Sequence, residues 1–142
     1  MLRYDDPMKL SPAATLLLVL LFADSGVRNS MAQHMNVPGN PCQSIGPNSS
    51  ETQCFITASQ IADRDLNSFY GKLITHLDPE NRKNLQAAQR LWVQFRDANC
   101  RAEYDLYGGA SAGPTVRAAC IEAVTRHRTA ELKIMYGWTL DK

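Results

Sequence analysis

Apolar side chains in the middle of the chain recur every three or four residues, which is the spacing of one face of an α-helix. Polar residues, among them Arg90, Gln94, Asp97 and Arg101, fall on the opposite face and can remain in water. The apolar stripe consists of Leu85, Ala88, Trp92, Phe95, Asn99, Ala102 and Leu106. With no Gly or Pro to interrupt it, this pattern predicts a helix whose stripe lies in the core of the protein.

Capping signals mark the ends of this helix and of the one before it. The segment Ser50–Gln53 fits a capping box, in which side chains satisfy the free backbone N–H groups of a helix start. We therefore expect the first helix at about Glu51–His76. Asp78 can cap the second helix and Pro79 suits its first position, so that helix is expected to run from Pro79 to about Leu106.

A third helix is predicted after a loop rich in small residues. The loop is Tyr107–Pro114, the helix extends from about Thr115 to Tyr136, and Gly137 is well placed to end it. Short links make consecutive helices antiparallel neighbours. The fold predicted is all-α: a small disulfide-stabilised three-helix bundle, formed by an antiparallel helical hairpin and a third helix.

The start of the chain has the composition of a secretory signal. Lys9 precedes the apolar run Ala13–Ala23, which is too short for a spanning helix of about 20 residues but suits a signal peptide. We expect cleavage after Ala32; a cut near Ser25, or a retained membrane anchor, is the alternative. Met8 is an alternative start of translation, because Asp5 and Asp6 are unusual at the head of a signal. The predicted organisation is a signal at 1–32, an irregular arm at 33–50, a helical domain at 51–136 and a tail at 137–142.

Four cysteines follow the predicted signal: Cys42, Cys54, Cys100 and Cys120. An even number in a small exported domain indicates two disulfides, and no two lie at the close spacing typical of zinc ligands. Folding the chain at its two links brings Cys54, Cys100 and Cys120 to one end of the bundle, with Cys42 just outside. Two pairings remain open: Cys42–Cys54 with Cys100–Cys120, which we favour, or Cys42–Cys120 with Cys54–Cys100.

Charge and motifs argue against several classes of function. The chain has 15 basic and 14 acidic residues with the signs interspersed, which gives no support for nucleic-acid binding or for a polybasic membrane patch. His34, His76 and His127 are far apart, and no metalloprotease, nucleophile-elbow or phosphate-binding motif is present. We therefore expect no enzymatic activity, no cofactor and no metal.

Three motifs in fixed order are more specific: Leu66-Asn67-x-x-Tyr70, Ala88-Gln89-Arg90-x-Trp92 and Arg96-Asp97-x-x-Cys100. The residues that accompany them are Cys54, Asp63, Leu85, Gly108, Gly109, Cys120, Thr125, Arg128 and Leu132. From about Pro41 to Met135, this pattern resembles the lysozyme inhibitor LprI N-terminal-domain family. The resemblance implies a small, helical, disulfide-bonded domain exported to the periplasm or secreted.

The best-known member of that family is a mycobacterial lipoprotein that inhibits lysozyme. The resemblance thus implies a lysozyme or another envelope protein as the partner. This chain departs from that member because the sequence around Cys42 is not a lipoprotein signal. The oligomeric state is left open.

Most of the motif residues are expected to support the fold. Trp92 and Phe95 should lie in the core, and Arg96 or Arg128 should hold a partly buried carboxylate such as Asp63 or Asp65 between helices. Asn67 and Asn99 are expected to be satisfied polar groups on inward faces, and Tyr70 to pack with its hydroxyl at the rim. The predicted structural motif comprises Asp63, Leu66, Asn67, Tyr70, Gln89, Trp92, Arg96, Asp97 and Arg128.

The glycine-rich loop is the stretch best suited to contact a partner. Small residues permit close backbone approach, and Arg101 or Arg117 is available to reach the carboxylates of a muramidase cleft. The candidate binding residues are Tyr104, Tyr107, Gly108, Gly109, Ser111 and Arg117. The alternatives are that the loop is a plain connector, and that the protein is a non-inhibitory envelope or secreted module binding another protein or a cell-wall component.

Overall fold

A computed structural model describes residues 34–45 and 49–141 of the chain, and these belong to one compact unit. Three helices account for most of it: α1 at Ser49–His76, α2 at Pro79–Asp105 and α3 at Gly113–Tyr136. Short 3-10 helices lie at His34–Asn36 and Gly137–Asp141. The predicted all-α, three-helix fold is confirmed. The predicted signal at 1–32 lies outside the described residues.

The helix ends lie within about two residues of their predicted positions. Asp78 accepts hydrogen bonds from the backbone N–H groups of Glu80 and Asn81, so it is the expected cap of α2. Helix α1 begins at Ser49, which makes Ser50 a helical residue and not the cap. Gly137 follows α3 with φ −54°, so the chain continues into a 3-10 turn instead of the left-handed cap that glycine permits.

Helix α3 is the central element of the described unit. It packs against both α1 and α2, and it approaches each of them more extensively than they approach one another. Leucines from all three helices form the main core. They are Leu66, Leu73, Leu77, Leu85 and Leu132. The centre of the bundle is therefore α3, although the sequence pattern had pointed to α2.

A second apolar cluster lies at the other end of the bundle, where the N-terminal arm covers α1 and α3. Cys42 packs there with Phe55, Ala118 and Ala119. The structure pairs Cys42 with Cys54 and Cys100 with Cys120, which is the sequential arrangement of the two considered above. One disulfide thus ties the arm to α1, and the other ties α2 to α3.

The predicted buried stripe of α2 is wrong over most of its length. Phe95 is 60% exposed and Leu106 is 84% exposed, and Ala88, Asn99 and Ala102 are exposed as well. The face directed inward is rotated from the prediction and carries several polar residues. It includes Leu85, Gln89, Trp92, Arg96, Cys100 and Glu103. The helix is oriented by its disulfide and its ion pairs, and apolar periodicity alone does not reveal these.

The two asparagines expected on inward faces both lie at the surface. Asn67 on α1 is exposed like Asn99 on α2, although the Asn99 amide lies 3.7 Å from the sulfur of Cys120. The same rotation of α2 that exposes Phe95 moves Asn99 outward. In the described part of the chain, no helix is long and apolar enough to cross a bilayer.

Candidate functional site

Arg96 connects all three helices. Its guanidinium group donates to Asp63 of α1 at 2.8 Å, to Asp97 of α2 at 3.0 Å and to the Thr125 hydroxyl of α3 at 3.3 Å. The Arg96 side chain is only 14% exposed, so these charge-assisted hydrogen bonds are partly shielded from water. Arg96 is thus the residue that holds a carboxylate between helices, and Asp65 is exposed.

Trp92 lies beside two guanidinium groups. Its ring centroid is 5.3 Å from the Arg96 guanidinium carbon and 5.9 Å from that of Arg128, within the range of cation–π attraction. Arg128 also donates to the Gln89 side chain at 3.1 Å and pairs with Glu131. These motif residues are therefore engaged with one another and hold α2 against α3.

The other motif residues also have structural positions. Leu66 is buried in the main core, and Tyr70 is half-buried against it. Burial raises the pKa of the Tyr70 hydroxyl, because the charged phenolate is disfavoured away from water. Most of the motif residues thus contact the core or one another, whereas Asn67 is exposed.

The loop between α2 and α3 is a succession of tight turns. The N–H of Ala110 donates to the carbonyl of Tyr107 at 2.7 Å, and that of Gly113 donates to the carbonyl of Ala110 at 3.0 Å. Gly108 and Gly109 have φ values of +52° and +85°, in the left-handed region that favours glycine. These turns give the loop a defined backbone.

The two candidate tyrosines are turned partly into the protein. The ring of Tyr104 packs so closely on Gly113 that a Cβ added there would lie 2.9 Å from Tyr104 Cε2. Tyr107 is half-buried, and its hydroxyl is buried without a hydrogen-bond partner among the described residues. Both tyrosines therefore expose only part of their surface.

The exposed part of the loop forms a surface that we call the loop tip, together with one arginine at the start of α3. Leu106, just after α2, is 84% exposed, and Arg117, near the start of α3, is exposed too. The loop tip comprises Leu106, Gly108, Gly109, Ser111 and Arg117. Leu106 was not among the predicted binding residues, because the apolar pattern assigned it to the core.

Several contacts fix the end of the bundle that carries the loop tip. The Cys100–Cys120 disulfide is fully buried there, and the hydroxyls of Thr52 and Thr115 are hydrogen-bonded to each other. On the arm, His34 Nδ1 lies 2.8 Å from the carboxylate of Glu103. Nothing in the sequence pattern linked these two residues, which are far apart along the chain.

His34, Glu103 and Cys120 place three metal-ligand atom types within 4.8 Å of one another. The sulfur of Cys120 is bonded to Cys100, so it is not the thiolate that a metal would bind. His76 lies against the backbone carbonyl of Lys72, and His127 is exposed on α3. The three histidines therefore do not form a shared site.

A shallow groove separates the outer surfaces of α2 and α3, and we call it the α2–α3 groove. Its floor and walls combine aromatic, apolar and ionisable side chains. They belong to His34, Trp92, Phe95, Ala123, Val124, His127, Arg128 and Glu131. A second groove of about 350 Å³ lies between α1 and α3, with Ile61 and the buried, Arg126-paired Glu122 in its lining.

These features define a disulfide-bonded helical domain with a rigid end and no assembled catalytic group among its described residues. The chain belongs to the lysozyme inhibitor LprI family, because the model of that family matches residues 42–132. The matched segment contains both disulfides, the Arg96 contacts and the loop tip. The family is one of inhibitors and not of enzymes. Because this chain belongs to that family and contains two disulfides, it has the character of an exported protein.

The chain is also similar to an uncharacterised protein of Rhizobium meliloti. The two are 34% identical over 79 residues, which is 55% of this chain and 52% of that protein. The chain therefore spans about half the length of this relative. No solved structure matches this chain significantly.

Proposed function

We propose that this protein is exported and inhibits a lysozyme by binding it as a folded domain. The observation that carries the proposal is the match to the lysozyme inhibitor LprI family across residues 42–132. An inhibitor needs a stable surface that fits the enzyme, and it needs no reactive group of its own. The rigid helical end described above meets that requirement.

We propose the loop tip as the surface that enters the enzyme's cleft. Gly108, Gly109 and Ser111 have small or absent side chains, so the backbone can approach a concave surface closely. Glycoside hydrolases use a pair of carboxyl groups at the bond they cleave, and Arg117 supplies a positive charge that would pair with such a group. Leu106 adds an exposed apolar side chain to the loop tip.

The surroundings of the loop tip favour binding without rearrangement. The buried Cys100–Cys120 disulfide and the contact of Tyr104 with Gly113 restrict the loop before any partner arrives. A restricted loop loses less conformational entropy on association, which leaves more of the interaction energy as affinity. Reduction of the disulfides should therefore weaken inhibition even where helices persist.

The first test is lysis of a peptidoglycan suspension by c-, g- and i-type lysozymes, with the oxidised protein titrated into each reaction. We expect a dose-dependent loss of lysis with at least one class, and recovery of lysis after the inhibitor's disulfides are reduced. Lysis that continues unchanged at a large molar excess of helical, oxidised protein would contradict inhibition of the enzymes tested.

The location of the site is tested by two surface variants and a matched control. Ser111→Trp should block close approach of the loop, and Arg117→Glu should repel cleft carboxylates; both positions are exposed. Lys83→Glu makes a comparable charge change on the exposed N-terminal part of α2, away from the loop. We expect the first two to lose inhibition and the third to keep it. Equal inhibition by all three would move the site to a helix face.

A second candidate function rests on the α2–α3 groove, where the Phe95 ring is exposed beside Trp92 and His127. In this alternative, the protein is a non-inhibitory envelope or secreted module that binds another protein or a cell-wall component. Co-sedimentation with insoluble peptidoglycan separates the two proposals. Binding to peptidoglycan that is lost in Phe95→Ala, together with unaffected lysozymes, would favour the alternative.

We propose that the protein is exported to the periplasm or secreted into the medium, and that its signal peptide is cleaved after Ala32. Mass spectrometry of the protein recovered from the periplasm of a bacterial host measures the new N-terminus directly. A chain that begins at Gln33 supports the proposed cleavage. A chain that keeps the apolar run would instead support a membrane anchor.

A further inference from the structure

The outward side of α2 carries an unusual row of apolar residues that we call the α2 seam: Ala88, Leu91, Phe95, Ala98 and Ala102. They follow one another at alternating steps of three and four, which is the spacing of residues that pack two helices together. Leu91 is 66% exposed and Phe95 60%, and the three alanines are exposed too. No part of the chain that the structure describes covers this row.

The α2 seam differs from a scattered set of surface apolar residues, which would need no explanation. It contains no charged residue, whereas Arg90, Asp97 and Arg101 lie off its edge on the same helix. It also adjoins the α2–α3 groove, because Phe95 belongs to both and Val124 of α3 lies across from it. A continuous apolar strip of this kind marks an interaction surface.

We propose that the α2 seam is the interface of a homodimer, in which α2 pairs with α2 of a second copy in antiparallel orientation. The order of side-chain sizes carries this inference. After Ala88 at its N-terminal end, the seam has the large residues Leu91 and Phe95, followed by the small residues Ala98 and Ala102. A two-fold axis between residues 96 and 97 places Leu91 against Ala102 of the second copy, and Phe95 against its Ala98.

In this arrangement every large side chain meets a small one, so the two helices interdigitate without gaps. A parallel pair would place Phe95 against Phe95 and alanine against alanine, which leaves space around the small residues. A symmetric two-fold dimer uses the same surface patch on both copies, and the α2 seam has the self-complementary order that this symmetry requires.

Charge meets the α2 seam only at its ends. In the antiparallel pair, Ala88 of each copy faces Asp105 of the other. Asp105 keeps its own partner Arg101 at 2.8 Å, so its charge is balanced within one copy.

The size of the surface indicates a weak dimer. From Ala88 to Ala102 the helix extends about 21 Å, and a helix surface is about 10 Å wide, so the flat footprint is roughly 200 Å² per copy. An interface of this size lies below the range of stable specific interfaces, in the class of weak encounters. We therefore expect a reversible dimer with a dissociation constant on the order of 100 micromolar.

The test is sedimentation velocity of the oxidised protein, purified from the periplasm of a bacterial host, across a concentration series around the expected dissociation constant. We expect a concentration-dependent shift from monomer to dimer. Phe95→Glu should abolish the shift, since it places two carboxylates near the two-fold axis. Val93→Glu introduces the same charge on the other side of α2 and should leave the shift unchanged, with circular dichroism confirming helicity in each variant.

The orientation is tested by exchanging two side-chain sizes. Leu91→Ala and Ala102→Leu should each raise the dimer dissociation constant by about tenfold or more, because one leaves a gap and the other a clash. The double variant restores the match only in an antiparallel pair and should recover most of the lost affinity. A wild-type protein that stays monomeric, or a Phe95→Glu variant that still dimerises, would overturn the proposal. Failure of the double variant to recover affinity would overturn the antiparallel orientation.

Discussion

Single polar residues position the helices of this protein more decisively than its large apolar ones. Arg96 reaches both other helices through Asp63 and Thr125, while its neighbour Phe95 is turned toward solvent. Burial of an arginine is tolerated only where its donors are matched, and here carboxylate and hydroxyl oxygens match them. The orientation of α2 thus depends on a polar contact network that an apolar pattern does not register.

Replacing Arg96 tests this dependence. Arg96→Ala should lower the free energy of unfolding by about 2 kcal/mol, since it removes charge-assisted hydrogen bonds and the packing against Trp92. Urea unfolding followed by circular dichroism measures the change. Arg101→Ala is the matched control, because Arg101 also pairs with a carboxylate and lies over a tyrosine ring but is solvent-exposed. We expect its unfolding midpoint to match the wild type, and equal losses in the two variants would contradict the role given to Arg96.

Two glycines should respond in opposite directions to the same substitution. At Gly113 an added Cβ would lie 2.9 Å from the Tyr104 ring, so Gly113→Ala should destabilise the protein by about 1–2 kcal/mol. At Gly71, in the middle of α1, an added Cβ meets nothing within 4 Å. Gly71→Ala should therefore stabilise the protein by about 0.5–1 kcal/mol through helix propensity. Thermal unfolding of both variants measures the two shifts, and a gain at Gly113 would contradict the close packing described there.

At the scale of the helices, the sequence predicts where each begins and ends better than which side of it is buried. The start of α2 depends on Asp78 and Pro79, which act within one helical turn. Their effect is local, so the local sequence is enough to predict it. The buried side of α2 depends on where α3 lies, and that is not local. Cys100 was the available clue: its inferred disulfide to Cys120 fixes the inward side, and Gln89, Trp92 and Arg96 share that side with it.

The cap of α2 predicts a pH dependence. Hydrogen bonds from the backbone N–H and side chain of Asn81, and from the N–H of Glu80, lower the pKa of the Asp78 carboxyl in the folded state. A lowered pKa means that the charged form stabilises the fold above about pH 4, and that this contribution is lost as the pH falls through the lower folded-state value. Asp78→Asn keeps the capping acceptor and cannot titrate, so it should lose less stability between pH 6 and 3 than the wild type. Parallel unfolding profiles for the two proteins would contradict this.

At the scale of the whole domain, the two disulfides act on different parts of the structure. Replacing both Cys100 and Cys120 by alanine should lower the free energy of unfolding by about 3 kcal/mol, because the unfolded chain gains conformational entropy. The loss should be larger than this entropic amount, because the bridge is fully buried between α2 and α3 and its removal leaves a cavity. Paired alanines at Cys42 and Cys54 should cost a similar entropic amount. The second change should also release the arm, which hydrogen exchange of residues 34–45 would detect as faster exchange. Unchanged exchange of the arm would show that its contacts with Ala118 and Ala119 suffice to hold it.

The central position of α3 has a consequence for how the chain matures. The helix that both others pack against is synthesised after them, so α1 and α2 have no complete core until it arrives. In the proposed export the N-terminal part of the chain leads, so α1 and α2 would cross the membrane before their core is complete. Cys42 and Cys54 are separated by only 12 positions and can meet early, whereas Cys100 must wait for Cys120. In the proposed export, the domain would therefore fold completely only after α3 has crossed the membrane.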